Sequence, residues 1–184
     1  MDFSNQQKLT KEGLELGETT DEDLEPHYKS VFKSDSIKLS NSKTFRSQLT
    51  IDEWESIEFI SNASKELRAD YLNYLLDEYG TVTPKKKERL SYQEIATISR
   101  FIVRNFKKNK TESFREIFER AEFCLTKGKK TTQNLIIVGL FEGIQNTGSW
   151  YKINYKKGFD KWLKIESKKS WDELIEFWEG NKKK

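Results

Sequence analysis

The chain has little that would break a helix or lock a loop. Its 184 residues include two prolines, nine glycines, one cysteine and one histidine. So few prolines and glycines argue against a turn-rich β architecture. A lone cysteine, Cys124, excludes an internal disulfide and fits a reducing cytosol. A lone histidine, His27, leaves no Cys/His set with zinc spacing. Pairing His27 with Cys124 as a nucleophile dyad has no local support, and the plainer reading of Cys124 is a small buried hydrophobe. There is no Gly-rich phosphate loop, nucleophile elbow or dinucleotide fingerprint. The carboxylates Asp21-Glu22-Asp23 and Asp52-Glu53-Glu55 lack the interleaved glycine of a calcium loop. The N-terminus shows no basic and then apolar leader, and no run approaches the ~20 apolar residues of a membrane span. These absences predict a soluble, cytoplasmic protein that is not an enzyme and needs no cofactor or metal.

Excess charge of one sign is missing too. Lys and Arg total 33 against 30 Asp and Glu, a net charge of +3. A dedicated nucleic-acid binder is more often strongly basic. Aromatics, by contrast, are plentiful, with 12 Phe, 7 Tyr and 5 Trp. Each buries a large area, so a compact core is feasible although hydrophobic residues make up only 35%.

The text divides into a polar N-terminal arm (1–49), a helical domain (50–180) and a basic tail (181–184). Within the arm, the stretch 12–25 carries Glu12, Glu15, Glu18, Asp21, Glu22, Asp23 and Glu25 with no Lys or Arg. Residues 36–40 alternate like a strand, and Asn41-Ser42 offers a turn, so a small hairpin is expected there. From Thr50 the pattern is helical. Thr50-Ile51-Asp52-Glu53, Ser91-Tyr92-Gln93-Glu94 and Ser170-Trp171-Asp172-Glu173 read as capping boxes. Thr111 reads as a cap of the Phe114–Leu125 helix, and Thr131 or Thr132 as the start of the next. Apolar residues recur at helical spacing in Leu67–Tyr79, Ile95–Phe106 and Phe114–Leu125, with Gly80, Gly128 and Gly180 as stops. One further short helix is expected around Phe159, Trp162 and Leu163. The predicted fold is mainly α, an antiparallel multi-helix bundle or a short HEAT-like stack, with an irregular N-terminal arm.

One segment stands apart. Thr131 to Gly148, TTQNLIIVGLFEGIQNTG, carries a single charge, Glu142, in a chain that is 34% charged. An ordinary surface helix is not built this way. With Leu135 at zero and ~100° per residue, Ile137, Leu140, Phe141 and Ile144 share one side. Val138, Gly139, Glu142 and Asn146 share the other, flanked by Gln145. Gly139 and Gly143 lie between and permit close approach of a second backbone. Two readings of Glu142 stay open. It is solvated or paired with a neighbouring cation, or it belongs to a polar patch of Glu142, Gln145, Asn146 and Trp150 that a partner recognises. Trp beside hydrogen-bonding side chains is a common interface anchor.

The run Gln133 to Asn146 resembles the signature helix of small bacterial helical proteins with the pattern Q-N-L-x-x-x-G-x-x-E-x-x-Q-N. It departs from that pattern at Gly143, where a larger or acidic residue is expected. The resemblance covers about Ala63 to Gly180 and implies an immunity protein of a toxin–immunity cassette. Such a protein binds a cognate toxin domain and occludes its active site. Glu142, Gln145 and Asn146 match the family's polar positions. On this reading Glu22 and Asp23, within the acidic arm, would meet a basic nuclease-type toxin, because opposite charge speeds encounter. A solvated tail is the rival reading of the arm. A second function remains open, a nucleic-acid-binding or regulatory module. It would use Trp150, Tyr151, Tyr155 and Trp162 among the lysines of the C-terminal third.

Overall fold

The computed structural model describes residues 51–180. Over that span it is a mainly α, multi-helix bundle. The elements are α1 (Glu53–Ser61), α2 (Lys65–Tyr79), α3 (Ser91–Lys107) and α4 (Phe114–Lys127), followed by a long rod, then α7 (Tyr155–Gly158) and α8 (Ile165–Gly180). The rod has three stretches: α5 (Lys130–Asn134), a π-helical stretch (Leu135–Phe141) and α6 (Glu142–Trp150). Its junction residues Leu135 (φ −61, ψ −41) and Glu142 (φ −62, ψ −38) keep right-handed helical angles, so the three run on as one. The expected arm hairpin, His27, Glu22 and Asp23 lie outside the described residues.

The expected capping boxes were placed wrongly, and in each case a long-range contact explains why. Before α1 the box is Asp52/Glu55, not Thr50/Glu53: Asp52 Oδ1 accepts the Glu55 amide, and Glu55 Oε2 accepts the Asp52 amide, both at 2.9 Å. Ile51 cannot enter the helix because its backbone is bridged to the end of α4. Its N–H donates to the Lys127 carbonyl (3.2 Å), and its own carbonyl accepts from Lys129 N–H (3.1 Å). Gly128 allows this approach, since an added Cβ would lie 2.3 Å from the Cys124 carbonyl oxygen. No side chain caps α3, whose cap residue is Leu90, and Glu94 is turned inward instead. The cap residue of α4 is Ser113 rather than Thr111, and no side chain bonds there.

The start of α8 shows the clearest override. It begins at Ile165, so Ser170-Trp171-Asp172-Glu173 lies mid-helix and Trp171 is wholly buried. The cap comes from another helix. The Glu122 carboxylate of α4 accepts the amides of Glu166 (3.0 Å) and Ser167 (2.7 Å). A carboxylate at a helix N-terminus satisfies free donors and complements the dipole. The short helix near Phe159 is also displaced, ending at Gly158.

The rod lies at the centre of the core. Leu135, Ile136, Leu140, Phe141 and Ile144 are fully buried. Ile136 is buried and Ile137 only half-buried, the reverse of the 100° expectation. The pairs Leu135/Ile136 and Leu140/Phe141 are five residues apart, which matches the i→i+5 bonding of a π stretch. α3 crosses at the glycines. A Cβ on Gly139 would meet Ile95 Cγ2 at 2.5 Å, and one on Gly143 would meet Ser99 Oγ at 2.7 Å. Ser99 Oγ lies 3.1 Å from the Leu140 carbonyl and 3.3 Å from that of Gly139, within reach of groups that an irregular helix leaves in need of a donor. Around the rod's far side Phe106, Phe114, Phe118, Phe159, Trp162 and Trp171 form a continuous aromatic cluster. Phe106–Phe159 and Phe114–Trp162 centroids lie 4.6 and 4.9 Å apart. Trp162 and its neighbour Phe159 therefore belong to the packing, and Trp162 is not a free stacking plate. Cys124 is buried as expected, and burial raises its thiol pKa. Among the described residues no helix is long and apolar enough to cross a membrane.

Candidate functional site

Two polar constructions sit at opposite ends of α3. At the N-terminal end, Glu94 is completely buried and faces the guanidinium of Arg89. Arg89 Nε donates to Glu94 Oε1 (3.0 Å) and Nη2 donates to Oε2 (2.6 Å), a fork-to-fork pair. The Tyr71 hydroxyl donates to Glu94 Oε2 (2.6 Å) and accepts from Arg89 Nη2 (2.7 Å). Glu58 extends the chain of charges to Arg68, whose Nη1 lies 2.6 Å from Glu58 Oε2. The Arg89 guanidinium also stacks over Trp54, 4.7 Å from the ring centroid. Burial, with the nearby Glu58 carboxylate, pushes the Tyr71 phenol far above its ordinary value. Burial alone would lower the Arg89 pKa, but its bond to Glu94 and the charges of Tyr71, Glu94 and Glu58 together raise it. Every member of this group faces another member, so it ties α1, α2 and α3 together.

The C-terminal end of α3 is different. Arg100, Arg104, Lys107 and Lys108 recur at i, i+4, i+7 and i+8, so they line one side of the helix. They face Asn146, Thr147, Trp150 and Tyr151 at the end of the rod across an open groove of about 680 Å³. Both walls end in the same way. After α3 the Asn109 N–H reaches the Phe106 carbonyl (3.1 Å) and the Lys110 N–H reaches that of Asn105 (3.0 Å), with Asn109 at φ 57. After the rod the Lys152 N–H reaches the Ser149 carbonyl (3.0 Å) and the Ile153 N–H reaches that of Gly148 (2.8 Å), with Lys152 also at φ 57. Both are Schellman closures, and they fix the last turns that carry Lys107, Lys108 and Trp150. Asn tolerates that left-handed position, whereas Lys adopts it at a cost of about 1 kcal/mol.

Trp150 is 83% exposed, the most open large aromatic of the described residues. Tyr151 is half-exposed, and the Lys107 ammonium sits 4.3 Å from its ring centroid. Arg104 pairs with Asp70 (2.9 Å), and Arg100 donates to Thr97 Oγ1 (2.9 Å). Each of these two arginines therefore has one arm held while the side chain stays exposed.

The four described residues expected to meet a partner have different fates. Asn146 and Trp150 come together in the groove. Glu142 lies one turn earlier on the same rod, half-buried, with no hydrogen bond or ion pair to another described residue. Gln145 instead points into the bundle. It is 3% exposed, and its Nε2 donates to the Trp171 carbonyl at 3.2 Å, which ties the rod to α8. It follows Ile144 onto the buried side, where the α-helical period resumes after the π stretch. Arg100 and Arg104 were not anticipated. The sequence carries a signal for them, since their positions fall opposite the apolar Ile95, Ile98 and Ile102. Among the described residues no group of three or more His, Cys, Asp or Glu is placed to hold a metal.

The molecule is thus a helical bundle with a sealed ionic core at one end of α3 and an open cationic, aromatic groove at the other. The chain belongs to the family described as a domain of unknown function (DUF7674), which it matches over residues 57–179. That span takes in both polar constructions and the whole rod. No curated protein and no solved structure matches the chain.

Proposed function

We propose that the protein is a cytoplasmic immunity protein. It binds a cognate bacterial toxin domain through the outer side of the rod and occludes the toxin's active site without doing chemistry. The resemblance of Gln133–Asn146 to the immunity-type helix motivates this reading. The observation that carries it is Trp150, 83% exposed beside Asn146 at the end of a buried rod. A large aromatic held open on a rigid element is the usual form of an interface anchor, because little side-chain freedom is lost on contact. The unpartnered Glu142, one turn before Asn146, supplies a polar group that a partner can satisfy.

Co-expression provides the test. The product of the neighbouring gene is expressed with and without the protein, and growth and complex formation are measured. Rescue with a stable complex supports the reading. Unrelieved toxicity with no complex removes it.

The four cations flanking Trp150 favour a second reading, a nucleic-acid-binding module. Generic DNA and RNA titrated at rising salt separate the two, since phosphate contacts weaken steeply as counterions compete.

A further inference from the structure

We infer that the groove between the C-terminal turns of α3 and the rod receives a short acidic segment of a partner protein. Its carboxylates meet Arg100, Lys107 and Lys108, and an apolar residue beside them packs on Trp150. The inference rests on the protein-binding reading above and supplies the chemistry of the contact.

Charge arithmetic supports an anionic occupant. Two helix C-termini border the groove, each worth about −0.5 charge. Asp70 contributes one further negative charge through Arg104. Against these stand four cations, so the groove keeps a net charge of roughly +2. That surplus is unusual for a surface whose described residues are otherwise nearly balanced.

The extent of the charge favours a peptide over a polynucleotide. Arg100 to Lys108 spans about 12 Å at 1.5 Å per residue. Past the end of α3 another depression is lined by Glu66, Glu112 and Glu116 with Lys110, and back along the rod the next ionic group is Glu142. A phosphate backbone leaving the groove past the end of α3 or back along the rod meets carboxylates. Two or three Asp or Glu side chains fit inside the cationic stretch, and the about 680 Å³ of space admits several side chains. Aromatic and Arg residues together are also the usual composition of protein hot spots.

The inference reverses one expectation. The acidic N-terminal arm pointed to a basic partner surface, whereas this groove calls for an acidic one. The two are compatible if the partner presents both.

Fluorescence anisotropy on the full chain tests the inference. Three labelled probes are used: a short alternating Glu/Leu peptide, its Gln/Leu counterpart, and a single-stranded oligonucleotide of equal charge. The Glu/Leu peptide binds and the Gln/Leu peptide does not. Arg100→Glu and Lys107→Glu each weaken binding about tenfold, and Trp150→Ala weakens it by a similar factor. All three positions are exposed, so unchanged thermal melts confirm folding of the variants. Tighter binding of the oligonucleotide than of the acidic peptide, lost in the same variants, overturns the inference in favour of nucleic acid. So does acidic-peptide affinity indifferent to all three substitutions, or no binding at all. If the adjacent toxin domain forms a complex that ignores these variants, the groove assignment fails while the immunity reading stands. If the peptide binds as expected but no toxin complex forms, the groove assignment stands and the immunity reading fails.

Discussion

The two ends of α3 handle charge in opposite ways, though one helix carries both. At its start Glu94 is fully buried and contacted by Arg89, Tyr71 and, at 3.3 Å, Tyr79. At its end four cations face solvent across from Trp150 and Asn146. A buried charge is tolerated only with its partners in place, so the first group is bound to structure. An exposed cation row costs the fold little, which leaves it available for contact with another molecule. Charge composition alone does not distinguish structure from recognition. The distinction lies in whether each group's partners are already supplied from within.

The largest effect should come from breaking the sealed end. Glu94→Ala takes the nearer counter-charge from the buried Arg89 guanidinium, leaving Glu58 at 3.5 Å, and should cost about 3 kcal/mol in denaturant unfolding. A loss below ~1 kcal/mol would place Glu94 with ordinary surface acids. The same end should be sensitive to alkali. The Tyr71 phenol is held protonated in the fold by burial and by the nearby Glu58 carboxylate, above the ordinary phenol value of 10.0. As pH rises past about 10, the unfolded chain gives up this proton while the folded chain keeps it, so unfolding becomes progressively easier. Stability flat up to pH ~11 would contradict the burial of this hydroxyl.

Between the two ends, the rod crossing should respond less. Gly139→Ala gains helix propensity of up to about 1 kcal/mol but drives a methyl into Ile95, so a net loss of about 1–2 kcal/mol is expected. A stabilised variant would mean that the crossing is looser than its 2.5 Å approach requires. Smaller still, and opposite in sign, Lys152→Gly should stabilise by about 1 kcal/mol by relieving the left-handed backbone after the rod. An unchanged melting temperature would show that Lys152 earns that conformation through contacts of its side chain. Smallest of all, Trp150→Ala should shift folding stability by no more than about 0.5 kcal/mol. If Trp150→Ala unfolds the protein as Glu94→Ala does, the contrast between the ends disappears.

Much of the architecture could be read from local pattern. The helical periods of Leu67–Tyr79, Ile95–Phe106 and Phe114–Leu125 all correspond to helices, because amphipathic spacing is set within one or two turns. Gly80 takes the left-handed position (φ 69) that ends α2, a choice nearly local to the residue. The near-uncharged rod at the centre was also legible, since so little charge over eighteen residues has few places to go except inward. Its glycines marked a crossing for the same reason. The site was legible only in part. Asn146 and Trp150, named together from the sequence, line one groove, while Gln145 lies on the buried side.

Tertiary contacts decided the rest. Whether Glu94 capped a helix or entered the core depended on Arg89 and Tyr71 arriving from other elements. The start of α8 depended on Glu122 reaching across from α4, forty-four residues earlier than Glu166. Ile136 replaced Ile137 inside because the rod widened into a π stretch where α3 presses on Gly139. The cationic groove existed only once the ends of α3 and the rod were brought side by side. Hydrophobic spacing and backbone preference act over a few residues, so they can be read along the chain. A polar side chain takes the partner that packing delivers, and that partner is remote in sequence.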